Sequence, residues 1–278
     1  MNSLILLAID SSNGVSAVEL SYWQLAVAAS LILVNGLISL WFQLGLERRL
    51  FIAAIRTVVQ LLLIGAVLKW IFEHAQWYVI VALMTVMTLI AGLAAVERVR
   101  RRYHGVWLDS LISMWASSWL IAAVALFVVV RPPNWYLPQY AIPLLGMILG
   151  NTLNGISLGL DRFGEELAGK RTEVETLLAL GATRWEAARR PIQTAVRTGM
   201  VPIINSMMIV GLVSLPGMMT GQLLAGADPL QAVMYQIVIM FLIAAGTSLG
   251  TVSVVLLGYR RLFSHDHRFL PERLSGKR

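Results

Sequence analysis

The chain lacks cysteine and is poor in charged residues, and both features limit the classes of protein to which it can belong. None of its 278 residues is cysteine, which excludes disulfides, thiolate metal sites and cysteine nucleophiles. Charged residues make up only 13% of the chain, against about 25% in soluble domains. The long apolar stretches contain no carboxylate pair and no histidine cluster, which counts against a tight metal site inside them. These absences disfavour a soluble enzyme or a resident metal centre.

Apolar residues make up 58% of the chain and fall into long runs separated by short polar segments. A helix needs about 20 residues to cross the hydrocarbon core of a bilayer. The runs predict seven transmembrane helices with approximate bounds 21–44, 51–72, 77–96, 111–130, 140–160, 198–219 and 230–257. The expected fold class is therefore all-α, a polytopic protein of the cell's inner (plasma) membrane.

The positive charges predict the orientation of these spans, because Lys and Arg collect in cytoplasmic loops. With the N-terminus outside and the C-terminus inside, 20 of the 22 Lys and Arg residues are cytoplasmic, and only Lys69 and Arg131 lie outside. We expect an external tail over 1–20, a permease domain over 21–260 and a basic cytoplasmic tail over 261–278. The net charge of +7 is assigned to orientation in the bilayer, so no nucleic acid partner is expected.

The longest polar segment, residues 161–197, lies between the fifth and sixth predicted spans. Thr172 can cap a short helix, Gly181 favours a turn, and Thr183 can cap a second short helix. Pro191 is expected to interrupt that second helix. The segment therefore predicts a helical hairpin at the cytoplasmic membrane surface.

The order of residues in this hairpin resembles the cytoplasmic coupling loop of ATP-binding-cassette (ABC) permeases, in which a Glu precedes an apolar stretch and a Gly. Two interpretations stay open: a docking element for an ATPase, or a surface hairpin with a structural role only. On the first, the candidate coupling residues are Glu175, Gly181, Ala182, Thr183, Arg184 and Trp185.

A phosphate-binding loop is a weaker candidate in the same segment. Residues 164–170 match the spacing G-x-x-x-x-G-K, but Arg171 stands where a Ser or Thr hydroxyl would bind magnesium. The preceding segment is a predicted membrane span, whereas a nucleotide-binding fold would place a strand there. We expect no cofactor in this chain, and ATP and magnesium only in a partner subunit.

Residues near the outer end of the sixth span are candidates for a substrate pathway. Pro216 and Gly217 should break the helix there, and Met218 and Met219 follow directly. Broken helices at membrane depth often mark substrate sites in transporters. A simple external turn is the alternative.

Polar side chains inside other predicted spans are further candidates. Arg56 and Gln60 are four residues apart and share a helix face, although Arg56 can equally reach the cytoplasmic headgroups. Asn151 and Asn154 could line a pathway, but hydrogen bonds between helices are the favoured interpretation. His265, Asp266 and His267 form a short pattern that is best explained as an exposed polar tail.

Four separate segments resemble one known family. They are GLVSLPGMM at 211–219, continued by Gly221, by Ala225 with Gly226 and by Asp228 with Pro229; LGAT at 180–183; GMI-x-GN at 146–151; and Arg56 with Gln60. Together they resemble the FetB (YbbM) family of ABC permeases, which also includes plant aluminium-tolerance permeases. The resemblance extends from the second predicted span to the end of the seventh.

This resemblance implies a permease that pairs with a separate cytoplasmic ATPase, called FetA in the bacterial case. The bacterial pair is considered an iron exporter, and plant relatives are linked to aluminium tolerance and nucleotide-sugar export. We therefore expect a non-enzymatic permease subunit, working as a homodimer, that exports iron or another metal. An ABC exporter of a nucleotide sugar, an ion-gradient-driven transporter and, more remotely, a membrane-embedded hydrolase are the alternatives.

Overall fold

Most of the residues that the structure describes are helical. A computed structural model describes residues 21–73 and 76–276, so the predicted external tail 1–20 lies outside the described residues. The elements in chain order are α1 (Tyr22–Trp41), α2 (Glu47–Glu73), α3 (Trp77–Glu97), β1 (Arg101–Tyr103), α4 (Val106–Val124) with a π-helical extension (Ala125–Val130), α5 (Pro138–Gly169), α6 (Arg171–Ala179), α7 (Arg184–Ile209), α8 (Gly217–Leu224), α9 (Pro229–Leu262), a 3₁₀ turn (Pro271–Arg273) and β2 (Leu274–Gly276).

Six helices among the described residues are long and apolar enough to cross a membrane. They are Trp23–Trp41, Glu47–Glu73, Trp77–Glu97, Val106–Val130, Pro138–Gly169 and Pro229–Leu262. The all-α, multi-pass class predicted from the sequence is confirmed. The count of seven spans and the orientation with the N-terminus outside stay predictions.

The sixth predicted span, 198–219, is not one helix. α7 ends at Ile209, and α8 begins at Gly217 after a non-helical segment. Gly211 adopts a φ of 84°, and its amide donates a hydrogen bond to the Ser214 carbonyl over 2.9 Å. The break expected at Pro216 and Gly217 is therefore real but starts at Val210, because Gly211 forms a local turn before Pro216 is reached.

The hairpin predicted over 161–197 is only partly correct. α5 continues to Gly169, and α6 follows after a single residue, so Thr172 lies inside the first turn of α6 instead of capping it. α7 is an unbroken helix of 26 residues that passes through Pro191 and Pro202. A proline removes one backbone donor, and the burial of Pro191 and its neighbour Ile192 holds the helix together around that loss.

The described chain divides into two compact units, and the first contains α1, α2 and residues 220–229. Its turn between α1 and α2 is fastened by buried Ser39, whose hydroxyl donates to Glu47 and accepts from the Leu46 amide, each over 3.0 Å. Nearly all apolar side chains of α1 and α2 are exposed. Apolar exposure on this scale is typical of helices that face lipid or another transmembrane chain.

The second unit contains residues 75–219 and 230–278, and its core depends on close helix packing. Gly155 on α5 and Gly199 on α7 both lie against Thr251 of α9. A Cβ atom added at Gly199 would lie 2.7 Å from the Gly155 carbonyl oxygen. Small residues let membrane helices approach closely enough to gain van der Waals contact, and the three helices pack together at this point.

The C-terminal residues beyond α9 fold back onto the same unit. β2 pairs antiparallel with β1, and the Leu270 amide donates to the Leu262 carbonyl over 2.9 Å. Arg261, placed in the predicted tail, is instead in the last turn of α9, where its Nε donates to buried Asp109 of α4 over 2.6 Å. The described residues 261–276 thus contain the last turn of α9, a 3₁₀ turn and β2, and their assignment to a basic cytoplasmic tail stays a prediction.

Candidate functional site: a coupling hairpin joined to an apolar cavity

We call residues 171–190 the coupling hairpin; it consists of α6, a four-residue turn and the start of α7. Gly181 ends α6 with a φ of 91°, a conformation that favours glycine. Its amide donates to the Leu178 carbonyl over 3.1 Å, and the Ala182 amide donates to the Leu177 carbonyl over 3.0 Å. This pair of hydrogen bonds is a Schellman motif. It places Leu180 at the tip, with 79% of its surface exposed.

Thr183 caps α7, as the sequence predicts. Its hydroxyl accepts a hydrogen bond from the Glu186 amide, and its own amide donates to the Glu186 carboxylate over 2.8 Å. These reciprocal bonds form a capping box. The Thr183 hydroxyl and amide, which both donate to this carboxylate, lower the pKa of Glu186 below its usual range, with a smaller contribution from His267.

Arg184 and Trp185 attach the hairpin to the end of α9 and to the C-terminal segment. The Arg184 amide donates to His267 Nδ1 over 2.9 Å, and its guanidinium donates to the Ser264 carbonyl over 3.2 Å. The Trp185 ring meets Tyr259 edge to face, with 5.7 Å between ring centres. This attachment cannot be predicted from the sequence, because nothing in the pattern His265, Asp266, His267 distinguishes a packed segment from an exposed one.

Charged pairs stiffen the hairpin internally. Glu175 accepts a hydrogen bond from Arg171 Nε over 2.7 Å, one helical turn away. Glu173 lies 3.5 Å from Arg190 and so links α6 to α7. Each of these pairs is solvent-exposed and contributes at most about 1 kcal/mol. Glu175 is thus held in place within α6 while remaining accessible to a partner.

α7 connects the coupling hairpin to a cavity at its other end. The helix begins after the capping box at Thr183 and runs for about 39 Å, at 1.5 Å per residue, to Ile209. Its final turn and the non-helical segment that follows line a cavity of about 550 Å³, to which Met207 and Val210 both contribute. One continuous helix therefore spans from the turn at Gly181 to the cavity.

Of the candidate pathway residues near the helix break, only Met219 is among the residues that line the cavity. Met219 lines the cavity, while Pro216 and Met218 are half-buried and Gly217 is the exposed first residue of α8. The opposite wall comes from α9, including Val233 and Gln236, which the sequence analysis did not single out.

Asn151 and Asn154 of α5 make hydrogen bonds within the protein. The Asn151 side chain donates to the Met147 carbonyl one turn earlier over 2.9 Å. Asn154 accepts from the Arg98 guanidinium over 2.9 Å and so joins α5 to the end of α3. Only the Asn154 contact joins two segments in the way that the sequence favoured, because the Asn151 contact stays within α5. A role of either residue in a pathway stays a prediction.

Arg56 and Gln60 belong to the first unit. Both lie in α2 and are exposed, one turn apart on the same helix face. Glu47 and Glu73, at the two ends of α2, are the acidic residues of that helix. The suggested role of Arg56 and Gln60 in transport stays a prediction.

Comparison with known proteins gives the family. The model of the "Uncharacterised protein family (UPF0014)" matches residues 22–263, which is most of the chain. The chain belongs to the UPF0014 family. No solved structure matches the chain.

Relatives of known name come from bacteria and plants. A UPF0014 membrane protein of Synechocystis, slr1647, is 40% identical over 230 residues, covering 83% of this chain and 89% of that protein. The Escherichia coli protein named "probable iron export permease protein FetB" is 31% identical over 91% of this chain and 96% of its own length. The UPF0014 membrane protein STAR2 of rice is 32% identical over 80% of this chain and 76% of its own.

UPF0014 membership confirms the resemblance drawn from the sequence and, with the six candidate spans, makes the chain a multi-pass membrane protein of a permease family. Among the described residues there is no group of three or more His, Asp or Glu side chains that could hold a metal ion. Two of the four segments that carry the family resemblance lie at the two ends of α7: LGAT lies in the coupling hairpin, and GLVSLPGMM begins at the cavity. The other two lie in α5 and in α2.

Proposed function

We propose that this chain is the membrane permease subunit of an ABC exporter in the inner (plasma) membrane, driven by ATP hydrolysis in a separate subunit. The observation that carries the proposal is the continuity of α7 from the capped, exposed turn at Gly181 to the cavity beyond Ile209. A docked ATPase that moves the turn would also move one wall of the cavity.

The coupling step follows from the stiffness of this connection. Closure of two ATPase subunits around ATP would push on the exposed residues of the hairpin, Leu180 at the tip and Glu175 in α6. The capping box and the contacts of Arg184 prevent the turn from absorbing the push locally. Movement of α7 would then open or close the cavity, as expected for a hinge-like transport cycle.

The cargo proposed from the relatives is iron or another metal, since the Escherichia coli relative carries the name of an iron export permease. The partner is a cytoplasmic ATPase similar to FetA, and the permease acts as a homodimer because each chain supplies one coupling hairpin. A nucleotide sugar as cargo and an ion gradient as energy source are the alternatives that experiment must separate.

Charge reversal at the hairpin tests the docking surface. Glu175→Lys should abolish stimulation of the ATPase by the permease, because it removes the Arg171 pair and reverses the charge that faces the partner. Thr172→Lys adds the same charge to an exposed position of α6 while leaving Glu175 in place, and serves as the matched control. The measurement is ATP hydrolysis by the partner in proteoliposomes with each variant.

Insertion and folding of both variants are checked by their melting temperature and elution volume in detergent. Loss of stimulation in Glu175→Lys with near-normal stimulation in Thr172→Lys supports the docking assignment. Equal stimulation in both variants contradicts it.

A further inference from the structure

The cavity at the end of α7 is bounded by irregular backbone. Residues 210–216 form no helix, and Gly211 is held in a left-handed conformation. Backbone of this kind is tolerated at membrane depth only where it is buried in protein or lines a cavity. The volume of this cavity, about 550 Å³, lies within the range of small-molecule sites.

The lining of this cavity is uncharged. Its ten lining residues include three methionines, Met207, Met219 and Met240, and the aromatic Phe241, but no Asp, Glu, His, Lys or Arg. A bare Fe²⁺ ion favours oxygen and imidazole ligands, and a nucleotide sugar carries phosphates that require cations or backbone donors. Neither charged cargo would find its usual partners in this lining.

One polar side chain interrupts the apolar lining. Gln236 of α9 is 6% exposed, and its Oε1 atom accepts no hydrogen bond from the described residues. A buried acceptor without a partner costs free energy, which is recovered when a ligand supplies the missing donor. The Oε1 atom itself is buried, so a ligand in the cavity reaches it only when the Gln236 side chain turns toward the cavity. Gln236 is nevertheless the one side chain in this lining with an oxygen that can accept a hydrogen bond.

We propose that the cavity binds an uncharged molecule with a largely apolar body and a hydrogen-bond donor that reaches Gln236. Flexible methionine side chains suit this role, because they adapt their packing to apolar ligands of varied shape. The inference rests on the proposed permease function and specifies the class of cargo. On this view a metal crosses through this cavity only inside an uncharged organic complex.

The test uses two fluorescent probes and the purified permease without an ATPase. N-phenyl-1-naphthylamine is uncharged, has an apolar body and carries one N–H donor, whereas 1-phenylnaphthalene has similar rings and no donor. Gln236→Leu should weaken binding of the first probe roughly five- to tenfold, which corresponds to the loss of about one hydrogen bond. It should leave binding of the second probe unchanged. This variant should unfold at the same or a higher temperature, because it removes an unpaired buried acceptor.

A second pair of variants tests the location. Ile237→Trp places a large ring in the lining and should abolish saturable binding of both probes. Leu249→Trp adds the same ring to an exposed position of α9 outside the lining, and should bind both probes like the unaltered protein. Binding is measured against empty detergent micelles, so that partition into the micelle is subtracted.

Several results would overturn the inference: no saturable probe binding, competition by Fe²⁺ or by UDP-glucose, or a phospholipid that co-purifies in this cavity while neither probe binds. A change in the oligomeric state of the Ile237→Trp variant, with probe binding unchanged, would also overturn the inference. The experiment contains no ATPase or ATP. Its failure would therefore leave ATP-driven transport intact, and failure of ATP-driven transport would leave probe binding as measured.

Discussion

Single side chains at the coupling hairpin fix the direction in which α7 starts. The Thr183–Glu186 box satisfies amides at the helix start, and the Arg184 guanidinium lies 5.9 Å from the centre of the Tyr259 ring while donating to the Ser264 carbonyl. Burial, and to a smaller extent the nearby Asp109 carboxylate, raises the pKa of Tyr103, so this phenol stays protonated. The start of α7 is thus stabilised by specific polar contacts in addition to apolar packing.

Glu186 predicts a pH dependence at this scale. Because hydrogen bonds from Thr183 lower its pKa in the folded chain, its contribution is complete above the ordinary Glu pKa of about 4.3 and is lost as the pH falls through the lowered folded value. The protection of the hairpin amides from hydrogen exchange, calculated after correction for the slower intrinsic exchange in acid, should therefore fall as the pH is lowered. Mass spectrometry of peptides covering 180–190 measures this effect.

Glu186→Gln is the control for that measurement, since Gln can complete a capping box without titrating. Its exchange, corrected for the intrinsic rate, should stay nearly independent of pH as the pH falls from about 6 to well below the ordinary Glu pKa of about 4.3, the range in which the unaltered protein loses protection. An equal acid response in the variant and in the unaltered protein would show that another group is responsible.

Among the elements, the contact of α5, α7 and α9 at Thr251 is the most sensitive to added volume. Gly199→Ala would place a Cβ atom 2.6 Å from the Thr251 methyl group and 2.7 Å from the Gly155 carbonyl oxygen, so α5 and α7 must separate. Overpacking of this kind costs about 1–3 kcal/mol. The variant should melt at a lower temperature in detergent than the unaltered protein.

Gly150→Ala is the matched control on α5, because no atom lies within 4 Å of its added Cβ. Removing a glycine from a helix interior should raise the melting temperature slightly. An equal fall in both variants would mean that the loss does not come from the contact at Thr251.

The sequence predicts most of these elements because apolar run length and capping chemistry are local properties. The Gly181 turn, the Thr183 cap and the break before Gly217 are all readable in this way. The continuity of α7 through Pro191 is not, because it depends on burial against the rest of the second unit. The position of His267 likewise depends on contact with a residue 83 positions earlier in the chain.

The same distinction applies to the candidate site. Residues with an unusual backbone role, such as Gly181 and Pro216, stand out in the sequence by their type. Gln236 does not, because a glutamine in an apolar run gives no sign of whether its amide finds a partner. Its burial and its unpaired oxygen are visible only in the folded chain.

At the scale of the whole molecule, one coupling hairpin per chain predicts a complex of two permeases and two ATPases. The exposed apolar faces of α1 and α2 give each permease ample surface for contact with lipid or with a second copy. The mass of the purified complex, measured by native mass spectrometry, should correspond to two copies of each subunit. A stable one-to-one complex that hydrolyses ATP would contradict this assembly.

ATP-dependent transport in proteoliposomes tests the central claim most directly. Vesicles containing this chain with or without its ATPase partner are supplied with Fe²⁺, other divalent metals, nucleotide sugars or uncharged amphipathic compounds. We predict that a cargo moves only when both subunits and ATP are present. Movement without the ATPase that follows an imposed ion gradient would contradict it.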